Sequence, residues 1–204
     1  MDYEKLSTSI LAAIENRPGD IGAYEDLFSL CQAWAETDFA AAHRANKKLK
    51  DMCDRMMDKV PMSQVEGFYS LWRRGLLFEA PYDFDSYLTY IELDRKLEKR
   101  FYQPRKHYLK RYVDAYQKIL DGELDFLSIS MPKRAGKSQL GINFTNMLSG
   151  KFPEKATLME GTGDDLVNSF YKGCLEYLQT PSEYLFYDVF RKASWFRRMQ
   201  IRRR

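Results

Sequence analysis

Residues 128–140 read SISMPKRAGKSQL, and Lys133, Arg134, Lys137 and Ser138 within them carry side chains suited to holding a polyphosphate. Gly136-Lys137-Ser138 matches the end of the pattern G-x-x-x-x-G-K-[ST]. There, backbone N–H groups cradle phosphate oxygens, the lysine neutralises the terminal phosphates and the hydroxyl holds Mg²⁺. Met131 stands where the pattern has its first glycine, and Pro132 follows it. Proline fixes φ and removes a donor, so ring geometry must shape the entry to the loop. Arg134 would lie near the β/γ-phosphates, where a guanidinium compensates charge in cis. The expected ATP cradle therefore comprises Pro132, Lys133, Arg134, Ala135, Gly136, Lys137, Ser138 and Gln139, with Ser138 on Mg²⁺. Lys137 and Arg134 are the residues expected to act on the reacting phosphate. The plain alternative is a basic surface turn that opens a helix.

Such a loop needs a strand to anchor it and a helix to aim free N–H groups at the anion. "LDFLSIS" precedes it as an apolar, β-prone run, and "KSQLGINF" follows with helical spacing of Leu140, Phe144 and Met147/Leu148. "KATLMEG" reads as a second strand and "TGDDLVNSFYKGCLEYL" as a second helix, with Thr162 or Asp164 as N-cap. Strand, loop, helix, strand, helix predicts the start of a parallel α/β sheet. Upstream, a helix over 104–121 carries Leu109, Val113 and Tyr116.

The first hundred residues predict helices throughout. Residues 3–16 form an amphipathic stretch stopped by Pro18-Gly19, and Asp20 caps a second helix with Tyr24, Phe28 and Cys31 on one face. Ala42, Ala45, Leu49, Met52 and Met56 make a third apolar stripe, ended by Pro61. Two more helices are expected at 63–78 and 84–100. The expected organisation is a helical region, 1–100, a partial P-loop ATPase domain, 101–190, and a basic tail, 191–204.

The loop "MPKRAGKS" closely resembles the altered Walker A loop of the large terminase subunit of tailed bacteriophages. The stretches "FYQPRKHYLKRYVDAYQKILDGELDFLSIS" and "GTGDDLVNSFYKGCLEYLQTPSEYLFYDVF" extend that resemblance over about 100–190. It implies an incomplete RecA-like ATPase domain of α/β class, with ATP and Mg²⁺ as cofactors. It also implies a motor that drives double-stranded viral DNA into a capsid, with the portal and the small terminase subunit as partners and a homo-oligomer admitted. The location implied is the cytoplasm of a bacterial host. By the same resemblance "YQPR" falls where relatives contact the base, so Tyr102, Gln103 or Arg105 is expected to stack on or hydrogen-bond adenine, or to serve helix entry instead. The family's Mg²⁺-holding carboxylate follows a later strand, and its nuclease carboxylates lie further on. The chain is thus expected to bind ATP without turning it over. Glu160, at the end of "ATLME", imitates the missing carboxylate but follows the wrong strand, and His43 and His107 are isolated.

Two other readings stay open: a different P-loop NTPase, helicase-like or kinase-like, and a non-enzymatic helical interaction module. The net charge of +3 does not argue for a broad DNA-binding face. Residues 1–100 hold 14 Lys/Arg against 18 Asp/Glu, residues 101–190 hold 11 of each, and residues 191–204 hold seven basic residues and no acid. That tail, "RKASWFRRMQIRRR", is expected to be either disordered sequence translated out of frame or a phosphate-gripping arm with Trp195 and Phe196 stacking on bases. The three cysteines, Cys31, Cys53 and Cys174, are odd in number and far apart, which fits reduced intracellular thiols. The N-terminus is acidic where a signal peptide would be basic, and no apolar run approaches the roughly 18–20 residues of a membrane span.

Overall fold

The computed structural model describes residues 2–190. Its residues divide into two compact units, Met1–Glu79 and Ala80–Arg204. The basic tail 191–204 lies outside the described residues.

The N-terminal unit is built from α1 (Tyr3–Asn16), α2 (Ile21–Ala35), α3 (Phe39–Met57) and α4 (Met62–Glu79). Three of these helices begin at an aspartate whose carboxylate accepts an N–H of the first turn: Asp2 from Lys5, Asp20 from Gly22 and Asp38 from Ala41. Each carboxylate satisfies a donor that has no helical partner, and it sits at the positive end of the helix dipole. The apolar stripes close on a core of Tyr24, Leu27, Phe28, Leu49, Cys53, Phe68 and Leu71, all buried. At its edge lies a polar knot around Glu79, which is 2 % exposed. Asn46 Nδ2 donates to Glu79 Oε1 at 2.8 Å and to Gly75 O at 2.9 Å, Lys50 pairs with the other carboxylate oxygen, and His43 Nε2 lies 3.6 Å away. Burial pushes the Glu79 carboxyl up, but hydrogen bonds from His43, Lys50 and Asn46 and the Lys50 charge outweigh it and hold the group at about 2.

The second unit contains α5 (Phe84–Ile91), α6 (Lys106–Leu120), α7 (Lys137–Lys151), α8 (Asp164–Gln179) and the single turn α9 (Phe186–Val189). The helix expected over 84–100 stops at Ile91 because Glu92 turns inward. Its carboxylate accepts N–H groups from Phe101 at 2.8 Å and Tyr102 at 3.0 Å, folding the chain back through two 3-10 turns, Leu97–Lys99 and Gln103–Arg105. Gln117 of α6 ties down the start of α5: its Oε1 accepts Phe84 N–H and its Nε2 donates to Tyr82 O. Phe84 then meets Tyr116 edge-on at 5.6 Å and Phe144 of α7 at 5.3 Å. Aromatic rings packed edge to face thus join α5, α6 and α7.

The parallel sheet expected around the loop is not there. Among the described residues every regular element is a helix, which corrects the α/β, RecA-like expectation to an all-helical fold. Residues 126–131 and 156–160 adopt neither helix nor strand, and no backbone hydrogen bond joins them. The physical reason lies in pairing. A β-prone run becomes a strand only when a neighbour takes its N–H and C=O groups and covers its apolar face. Here Phe126 and Leu158 stay 80 % and 84 % exposed, so the face of each run that carries them is bare.

Candidate functional site: the loop at the start of α7

The loop between Met131 and α7 combines tight backbone with open donors. Arg134 has φ +62° and Gly136 φ +98°, both left-handed, and the Ala135 N–H donates to Pro132 O at 3.2 Å. Left-handed residues in such a turn swing successive N–H groups toward one side, as anion-binding concavities require. The first helical bond of α7 runs from Leu140 N–H to Gly136 O at 2.9 Å. The N–H groups of Lys137, Ser138 and Gln139 therefore precede the helix's own acceptors. Unlike α1, α2, α3 and α5, this helix has no capping side chain to take them.

The charges point the same way. Pro132, Lys133, Arg134, Lys137 and Ser138 are exposed, and Ala135, Gly136 and Gln139 are half-buried. No ion pair among the described residues involves Lys133, Arg134 or Lys137. Three cations and a set of uncapped N–H groups within seven residues suit a polyphosphate, because each strengthens binding of the same negative charge. The fit to Mg²⁺ is thinner. Ser138 Oγ is present, but no carboxylate bonds to it, and no cluster of three His, Cys, Asp or Glu suited to a metal occurs among the described residues. Glu160 is exposed at the end of the extended 156–160 run, with no contact that ties it to the loop.

Behind the loop the structure gathers residues that the sequence placed apart. The Phe101 ring packs against Gly136, so a Cβ there would stand 2.8 Å from Cε2 of the ring. Arg105 stays on that ring: its guanidinium carbon lies 5.6 Å from the centroid and Nη1 donates to Phe101 O at 3.0 Å. The segment expected to meet the base thus borders the loop, and Gln103 and Arg105, both half-buried, remain its accessible polar members. Tyr102 takes a different place. Its ring is fully buried, and its hydroxyl donates to Asp85, which also pairs with Lys106 at 2.9 Å. With no face open, Tyr102 is a core residue and offers no surface for stacking. Burial, joined by the Asp85 hydrogen bond, raises its phenol far above the usual value.

Gln139 also turns away from the cradle. Its Nε2 donates to Tyr177 Oη at 2.7 Å, which fixes the first turn of α7 against α8. Tyr177 in turn stacks on Tyr184 at 4.0 Å, and Arg95 lies 4.4 Å over the Tyr184 ring while pairing with Glu92 and Glu183. Phe101 was legible only as the neighbour of the "YQPR" stretch, and Glu92 carried no signal beyond being an acid beside an apolar run. His43 belongs to the Glu79 knot of the N-terminal unit, and His107 packs edge-on against Tyr108 at 5.1 Å.

No protein-family model, curated protein or solved structure matches this chain. Among the described residues no helix is long and apolar enough to cross a membrane.

Proposed function

We propose that the chain binds the phosphate end of a nucleoside triphosphate, ATP with Mg²⁺, through Lys133–Ser138. One observation carries this: the left-handed turn at Arg134 and Gly136 opens α7 without a side-chain cap, beside three cations that no carboxylate among the described residues neutralises. Lys137 and Arg134 would meet the terminal phosphates, and Ser138 would supply one oxygen to the metal. The close resemblance of "MPKRAGKS" to the terminase loop supports a role as the ATP-binding part of a viral DNA-packaging motor. Double-stranded DNA, portal and small subunit are the partners that this role would bring. With no carboxylate bonded to Ser138, the chain would hold ATP and turn it over negligibly.

The test is isothermal calorimetry with ATP and Mg²⁺. Lys137→Ala removes a charge-assisted contact of about 1.5–3 kcal/mol, so affinity should fall by at least tenfold. Equal binding by the two proteins refutes the proposal. A second reading, a helical interaction module with an incidental loop, is favoured by the all-helical described fold. It predicts no nucleotide heat from the wild-type protein.

A further inference from the structure

Arg95 stands at the junction of two chains of contact that end on Gly136 and Gln139, the residues flanking Lys137 and Ser138. The first chain runs through Glu92. Arg95 Nη1 donates to Glu92 Oε1 at 3.3 Å, and Glu92 Oε2 accepts the N–H groups of Phe101 at 2.8 Å and Tyr102 at 3.0 Å. The Phe101 ring so placed packs on Gly136, the left-handed residue that opens α7. The second chain runs through Tyr184. The Arg95 guanidinium carbon lies 4.4 Å from the centroid of that ring, which stacks on Tyr177 at 4.0 Å. Tyr177 Oη then accepts from Gln139 Nε2 at 2.7 Å. Glu183 holds the guanidinium through Nη2 at 3.1 Å, and Leu185 N–H donates to Ile91 O at 3.1 Å, which fixes the Tyr184 segment beside the end of α5.

On the reading that Lys137 and Ser138 hold phosphate and Mg²⁺, we propose that Arg95 is a positioning residue for them. The partners of its guanidinium are Glu92, Glu183 and Tyr184, and no printed bond or ring contact joins it to the loop among the described residues. Its effect is to fix Gly136 and Gln139 relative to each other, so the groups between them are in place before the anion arrives. A site ordered in advance has less freedom to lose on binding and holds its ligand more tightly. Glu92, Tyr177 and Tyr184 are all buried, so both chains of contact run away from water, where polar contacts reinforce one another. The planar, permanently charged guanidinium can bond two carboxylates and stack on a ring at once, which suits it to such a junction.

Calorimetry of the full chain with ATP and Mg²⁺, and separately with inorganic triphosphate and Mg²⁺, tests this. Arg95→Met keeps an unbranched stem but removes the guanidinium, and should weaken both ligands by the same factor, about threefold to thirtyfold. Inorganic triphosphate has no base, so an equal loss assigns the effect to the phosphate cradle. In the free protein the amide resonances of Gly136 and Gln139 should shift with Arg95→Met. The control is Met147→Ala, a buried side chain ten residues beyond Lys137 on α7, which should lower the melting temperature and leave affinity and those resonances unchanged. Circular dichroism establishes that each variant is folded. Absence of saturable binding to wild type ends the nucleotide reading and this proposal together. Wild-type affinity in folded Arg95→Met overturns this proposal alone, as does a loss confined to ATP or an equal loss in Met147→Ala. If Arg95→Met does not fold, Tyr177→Phe takes its place, and wild-type affinity there overturns the proposal.

Discussion

Gly136 and Phe101 touch: a Cβ added to the glycine would stand 2.8 Å from one ring carbon of the phenylalanine and 2.9 Å from another. The same glycine holds φ at +98°, a conformation that residues with a Cβ rarely adopt. Two separate constraints therefore act on one position, and they can be measured apart. Gly136→Ala should cost about 1–3 kcal/mol through backbone strain, with the ring clash added. Combining it with Phe101→Ala removes the clash but leaves the strain. Thermal or urea denaturation of the four proteins should give a coupling of about 0.5 kcal/mol or more between the sites. Strict additivity would mean that the ring does not press on the loop.

The Gln139–Tyr177 hydrogen bond makes the second prediction. It joins the first turn of α7 to α8 at 2.7 Å, and Tyr177 is almost wholly buried. Tyr177→Phe keeps the ring stacked on Tyr184 and removes only the hydroxyl. The loss should be about 1–2 kcal/mol, the cost of a half-buried donor left without its acceptor. Hydrogen exchange should quicken at the amides that open α7 while the far end of the helix is unaffected. Unchanged exchange at Gln139 and Leu140 would show that the bond does not hold the loop helix in place.

What the sequence disclosed and what it hid divide along a physical line. The stripe Ala42, Ala45, Leu49 and the cap Asp20 are local patterns, readable because a helix satisfies its own backbone. The helix after the loop was legible for the same reason, since Lys137–Lys151 forms as expected. A strand is not a local object. "FLSISM" and "ATLME" have the composition of strands, yet they stay unpaired with Phe126 and Leu158 in solvent. Contacts far apart in the chain were equally hidden: nothing in "FYQPR" says that Phe101 will cover Gly136, or that Glu92 will bend the chain to bring it there. The resemblance put Tyr102 among the candidates for the base, but the fold spends that ring on the core.

Glu79 gives a pH prediction for the N-terminal unit. Its carboxyl is held at about 2, below the ordinary 4.5, by His43, Lys50 and Asn46 against the opposing effect of burial. A depressed folded value means that the ionised form is bound more tightly in the folded state. Its stabilisation is complete above about pH 4.5 and is lost as the pH falls toward 2. Glu79→Gln should therefore destabilise the protein at pH 7 by a few kcal/mol, since it strands Lys50 beside a neutral group. The gap between wild type and variant should narrow on acidification from pH 5 to pH 3. Urea denaturation across that range checks it, and a gap that stays constant with pH would show that the carboxylate's charge is not what matters.

The three cysteines allow a chemical test of the packing. Cys31 and Cys53 are fully buried and Cys174 nearly so, and none is bonded to another. Burial pushes the Cys31 and Cys53 thiols up to about 12, with Glu79 adding to the first and Glu25 and Asp54 to the second. Burial alone takes Cys174 to about 11. Only the thiolate attacks a disulfide reagent, so high values and restricted access act in the same direction. At pH 8 the thiolate fraction of Cys174 would be on the order of one in a thousand, and the other two would be lower still. Ellman's reagent should thus label native protein slowly, with Cys174 first because it borders a cavity beside α8. All three thiols should react at once in strong denaturant. Immediate labelling of Cys31 or Cys53 in the native protein would mean that the four-helix core is not closed around them.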